Sequence, residues 1–210
     1  MVVGGYSIKV STNGMPQKVA TGFGKVFDNM VGASYTPIAY LGSQVVNGTN
    51  HALLAEQNLV IGKDAKNIVL VILNEKPGDV DGSSFSIVEI THLLSEGGTF
   101  GGLNINPTTK IPDDAMKVFD KHFGGFLGAN NKPFALLATQ VVHGAAYVFA
   151  VESDMIISPN TMTSGTKSVN LVKVYSDFTE IETTPVLVGS PQDGEMLVGY
   201  AFNWLKSDKK

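Results

Sequence analysis

A chain of 210 residues with 15 basic and 19 acidic side chains carries a net charge of −4, and every basic residue is a lysine. Lacking arginine and a basic excess, it has no footprint of a nucleic-acid binder; lacking cysteine, it has no disulfide, thiolate metal site or cysteine nucleophile. No stretch reaches the roughly 20 apolar residues of a membrane helix, and Met1-Val2-Val3-Gly4-Gly5 lacks the basic region and long apolar run of a signal peptide. The compartment stays open.

Along the chain, Gly4-Gly5 precedes a helix whose first turn tolerates Pro16. Val19, Phe23, Val26, Phe27 and Met30 recur at helical spacing. Gly22 and Gly24 oppose that helix, at about 1 kcal/mol each against alanine, and Gly32 suits its stop. A strand over 36–46 turns at Asn47-Gly48, two residues that tolerate positive φ. It returns over 50–61 with His51, Leu53 and Ala55 on one face. Strands over 67–74 and 84–92 follow, joined by a loop with Lys76-Pro77-Gly78. Residues 95–102 are rich in glycine and suit a flexible joint.

The second half reads the same way. Pro112 opens a helix with Asp113 and Asp114 near its positive end, and Ala115, Phe119, Phe123 and Phe126 at helical spacing. Gly124 and Gly125 oppose it, and Gly128 suits its stop. A strand over 132–142 turns at His143-Gly144 and returns over 146–157 with Tyr147, Phe149 and Val151 on one face. A pair over 169–175 and 196–204 is expected to complete it, with 176–194 as a longer, altered loop.

The likeness is a repeat. Residues 15–60 lie over 111–156 without a gap, with 14 of 46 positions identical, among them Phe23/Phe119, Lys25/Lys121, Pro37/Pro133, Gln44/Gln140, Val45/Val141, Val46/Val142 and Gly48/Gly144. After a five-residue insertion, 66–71 lies over 167–172. The expected organisation is a first domain at 1–95, a linker at 96–102 and a second domain at 103–210. Each is an α+β unit, one helix packed across an antiparallel sheet of four to five strands.

Helix, strand, Gln-x-Val-x-Gly, strand and two further strands resemble the cystatin family. Gln44-Val45-Val46-Asn47-Gly48 and Gln140-Val141-Val142-His143-Gly144 look like its first-hairpin motif, and Gly4-Gly5 its N-terminal trunk. Gly97-Gly98 or Gly101-Gly102 would be the second trunk. The resemblance implies two tandem cystatin-like domains. It also implies a reversible inhibitor, whose trunk and two hairpin loops fill the cleft of a papain-like cysteine protease as a wedge. The second hairpin departs from the family, because Pro77 is followed by Gly78 where Pro-Trp is usual, and the second copy has no Pro-Trp. The copies are expected to differ, the first having a free trunk and the second a tethered one.

Catalytic chemistry is not found. His51, His92, His122 and His143 have no partner at metal-ligand spacing, Gly22-Phe23-Gly24 fails the dinucleotide fingerprint, and Gly42-Ser43-Gln44-Val45 fails the nucleophile elbow. Asn47-Gly48-Thr49 is a glycosylation sequon, with meaning only in a secreted protein. The expectation is a non-catalytic protein-binding protein without cofactor or metal, and without nucleic-acid or membrane partners. Its partner is a cysteine protease or, alternatively, the other subunits of a virion or shell built from duplicated cystatin-like domains. The low charge content, 16% against about 25% in ordinary domains, favours the alternative, because a neutral, apolar surface is easier to bury in large contacts, and so does the missing Pro-Trp.

Overall fold

The computed structural model describes residues 5–60, 65–97, 102–125, 128–158 and 163–190. The first half runs β1 (Ser7–Ser11), α1 (Gln17–Phe27), β2 (Ala33–Val46), β3 (Gly48–Leu59), β4 (Ala65–Glu75) and β5 (Phe85–Ser95). The second runs β6 (Asn104–Thr108), α2 (Asp113–Phe123), β7 (Ala129–Val142), β8 (Gly144–Ser158), β9 (Thr163–Tyr175) and β10 (Ile181–Val188). Each half forms a five-stranded antiparallel sheet with its strands in chain order. The fold is α+β in two units. Every pair of the β2–β3 ladder recurs in β7–β8 at an offset of 96 residues, including the irregularities after Pro37 and Pro133.

Several expectations shift. A short strand precedes each helix, and Pro16 and Pro112 sit just before the first helical residue in extended conformation rather than inside the first turn. Their missing N–H costs nothing there. The helices end at Phe27 and Phe123, so Met30 lies beyond the first and is exposed. Gly32 and Gly128 have positive φ (88° and 109°) but lead into β2 and β7 instead of capping a helix. The partner of β9 is β10, which lies inside the expected altered loop. Residues 196–204 and Phe126 lie outside the described residues.

The central strands of each sheet are buried on both faces. On one face of the first sheet, Val19, Phe23 and Phe27 of α1 pack on Tyr40, Leu53, Ala55, Val69, Val71 and Leu73. In the second, Ala115 and Phe119 of α2 pack on Leu136, Phe149, Val151, Val172 and Val174, with Phe119 edge-on to Phe149 at 5.2 Å. The opposite faces meet each other. Leu41, Leu54, Ile68 and Leu70 of one sheet share a core with Ile105, Leu137, Val148 and Leu171 of the other. The layers are therefore helix, sheet, sheet, helix. Strands covered on both sides need no polar face, and Ile68-Val69-Leu70-Val71-Ile72-Leu73 in β4 is buried throughout. At about 1.5–3 kcal/mol per fully buried large apolar side chain, the inter-sheet core is a main source of stability. It also accounts for much of the low charge content, which therefore argues less for an apolar outer surface.

Two equivalent seams join the sheets. At one, the Ser190 amide donates across to the Tyr6 carbonyl at 2.9 Å, next to a Gly189 amide that extends the β9–β10 ladder by donating to the Lys167 carbonyl at 2.8 Å. At the other, the Gly97 amide donates across to the Leu103 carbonyl at 3.2 Å, next to a Glu96 amide that extends the β4–β5 ladder by donating to the Lys66 carbonyl at 2.9 Å. Tyr6 precedes β1, whose Ser7 pairs with Ser43 near the β2–β3 tip. Gly189 follows Val188, which pairs with Ser168 at the end of the second sheet away from the β7–β8 tip. Leu103 and Gly97 repeat this in reverse. Each tip-bearing end thus meets the blunt end of the other sheet.

Candidate functional site: two hairpin ends

The β2–β3 hairpin places Val45 and Val46 at 59% and 40% exposure, with Asn47 exposed at the tip. The β7–β8 hairpin does the same with Val141 at 81%, Val142 half-buried and His143 exposed. Gly48 and Gly144 have φ of 99° and 90°, a region where side chains other than glycine are strained.

Each tip leans on the second loop of its own sheet. A Cβ on Gly48 would lie 2.2 Å from the Glu75 carbonyl oxygen and 3.3 Å from Pro77 Cδ, and one on Gly144 would lie 2.5 Å from the side chains of Ser176 and Asp177. The motif glycine is therefore required twice, by conformation and by space. Pro77 is exposed beside Gly48 at this tip. In the second copy Phe178, 46% exposed, stacks edge-on to His143 at 6.2 Å, and Asp177 lies 3.6 Å from the His143 ring.

The second loops are held down by the helices. Lys25 donates to the Asp81 carbonyl at 3.5 Å, and its repeat partner Lys121 donates to the Ser176 carbonyl at 3.1 Å. The identity of these lysines in the repeat is explained by this shared reach. In the first copy Lys18 also binds the Glu75 carboxylate and the Asp79 carbonyl. Hydrogen bonds from Ser83 hold the Asp81 carboxyl down to about 2.

Beneath the first tip lies a chain of polar groups that sequence reading missed. Tyr40 Oη is 3.1 Å from His51 Nδ1, and His51 Nε2 is 3.0 Å from Glu75 Oε2. Burial raises the Tyr40 hydroxyl above its usual value. For Glu75, burial pushes upward, but hydrogen bonds from Lys18 and His51 outweigh it and leave the carboxyl below its ordinary 4.5. Its contribution to stability is therefore complete above pH 4.5 and lost as pH falls through the lower folded value. Thermal melts between pH 7 and pH 3 should show acid destabilisation, and Glu75→Gln should flatten that dependence while lowering stability at pH 7. An unchanged pH profile in Glu75→Gln would refute the assignment.

Other motif residues serve the sheet. Gln44 Oε1 accepts from Asn50 Nδ2 at 3.0 Å, and Asn50 Oδ1 accepts from Asn74 Nδ2 at 2.9 Å, an amide ladder across three strands. Gln140 is half-buried, and Ala146 stands opposite it in place of an asparagine.

The trunks are not free. Gly4 lies outside the described residues. Gly5 lies so close to Ser190 that a Cβ on it would sit 1.5 Å from the Ser190 hydroxyl. Gly97 and Gly102 press together in the same manner, while Gly98 and Gly101 are outside the described residues. The expected contrast between a free first trunk and a tethered second one is replaced by two seams of matching geometry, because the shared sheet core brings each trunk against the other half.

Among the described residues, no group of three or more histidines, aspartates and glutamates is placed to hold a metal ion. Comparison of the chain with family models, curated proteins and solved structures finds no match.

Proposed function

We propose that this is a non-catalytic protein-binding protein whose contact surfaces are its two hairpin ends, and that it acts as a cystatin-like reversible inhibitor of papain-like cysteine proteases. One observation carries the reading: apolar Val45, Val46 and Val141 stand exposed, with Val142 half-buried beside them, on tips of sheets whose central strands are buried on both faces. A cleft that buries such a tip gains about 1.5–3 kcal/mol per fully covered side chain, and a rigid hairpin loses little freedom on docking. The order of helix and antiparallel meander in each half supports the family reading.

Papain should be inhibited reversibly, with the chain left uncleaved. Val45→Asp with Val46→Asp should weaken inhibition at the first tip at least tenfold, because two carboxylates would enter an apolar cleft. Inactivity of the unaltered chain against several cysteine proteases would reject the reading.

A second reading, a structural or assembly protein such as a virion or shell component, is favoured by the pinned trunks. A wedge whose trunk is hydrogen-bonded at the seam has only two of its three elements to offer. On that reading papain is untouched, and size measurement finds a symmetric assembly whose contacts bury well over 1,000 Å².

A further inference from the structure

We infer that the chain is bivalent: its two hairpin ends engage two separate partner molecules at once, so that one chain bridges them. This rests on the hairpin-wedge reading and adds to it the number and placement of the partners. The first support is equivalence. Both ends carry an exposed valine at the tip, both have a glycine at positive φ packed on the second loop, and both have that loop held by the matching lysine, Lys25 or Lys121. Both trunks are pinned by the same hydrogen bond, Ser190 to Tyr6 and Gly97 to Leu103. Nothing at the seams makes one end the working end and the other a relic.

The second support is placement. Were the two tip ends side by side, a partner on one would exclude a partner from the other. Tyr6, beside the first tip, meets Gly189 at the blunt end of the second sheet, and Leu103, beside the second tip, adjoins Gly97 at the blunt end of the first. At each seam a tip end of one sheet therefore lies against a blunt end of the other, not against its tip. Strands β2 and β7 have 14 residues each, about 46 Å at the usual rise, so within each sheet the tip stands well away from the blunt end. The shared core holds the two sheets together, unlike two domains on a flexible tether.

The test uses the full chain and catalytically inactivated papain, with complex mass read by light scattering. At saturation two papain molecules per chain are expected. Val45→Asp/Val46→Asp and Val141→Asp/Val142→Asp should each leave one, and the fourfold variant none. Circular dichroism of each variant should match the parent, since these side chains are exposed or half-buried. Saturation at one papain while each double variant still binds one would overturn bivalency and leave the wedge reading intact. So would loss of all binding in just one of the double variants, which would confine binding to one end. No complex with the unaltered chain would overturn the wedge reading and this inference with it.

Discussion

Leu137→Ala should destabilise the entire chain by about 2–5 kcal/mol, through lost burial plus the cavity left behind. Leu137 is fully buried between the sheets, among Leu41, Leu54 and Ile68 of the first half. A hole there removes packing from both halves at once. Hydrogen exchange read on β3 and on β8 should therefore accelerate by the same factor, and the melt should keep a single transition. The helix-facing layers could not report this, because Phe149 on α2 and Leu53 on α1 each belong to one half. Destabilisation confined to β8, or a second transition, would show that the halves unfold independently and that the inter-sheet face contributes little.

Gly22→Ala sets two effects against each other. Helix propensity alone favours alanine by about 1 kcal/mol. Space opposes it, since a Cβ on Gly22 would lie 2.4–2.7 Å from Cγ, Cδ1 and Cδ2 of Phe85. The Phe85 ring has little room to give way, because it is stacked on His51 at 5.8 Å and its backbone pairs with Glu75. Overpacking of this kind costs about 1–3 kcal/mol, so the net result should be a loss of stability. Gly24→Ala provides the contrast, because its Cβ would meet the Asp28 carboxylate at 3.2 Å and nothing closer. That variant should be neutral or more stable by up to about 1 kcal/mol. Equal melting of the two variants would refute the packing argument.

These glycines show where sequence reading stops. On a helical wheel Gly22 lies nearer the apolar face than Gly24, about 200° further round, but only the arrival of Phe85 from 63 positions away shows that the space beside Gly22 is filled. The repeat, the helices and the β2–β3 and β7–β8 hairpins were legible because each is encoded locally, by apolar spacing and by residues that tolerate positive φ. The pairing of the two sheets was not read, yet β4 carried a signal for it. Six consecutive apolar residues, 68–73, cannot line a strand with one wet face. Strand β10 was hidden by Thr183-Thr184-Pro185, which reads as loop although proline is tolerated on an edge strand. Within the site, the exposed valines and the motif glycines follow from the hairpin. The linkage from Tyr40 through His51 to Glu75 and Lys18 joins four elements and leaves no local trace.

The matching seams have a consequence for how the chain is threaded. Gly5 abuts Ser190 just as Gly102 abuts Gly97, so the two halves form a closed ring with two interchangeable joints. One joint is crossed by the polypeptide and the other by hydrogen bonds. The architecture is that of a twofold homodimer made into one chain.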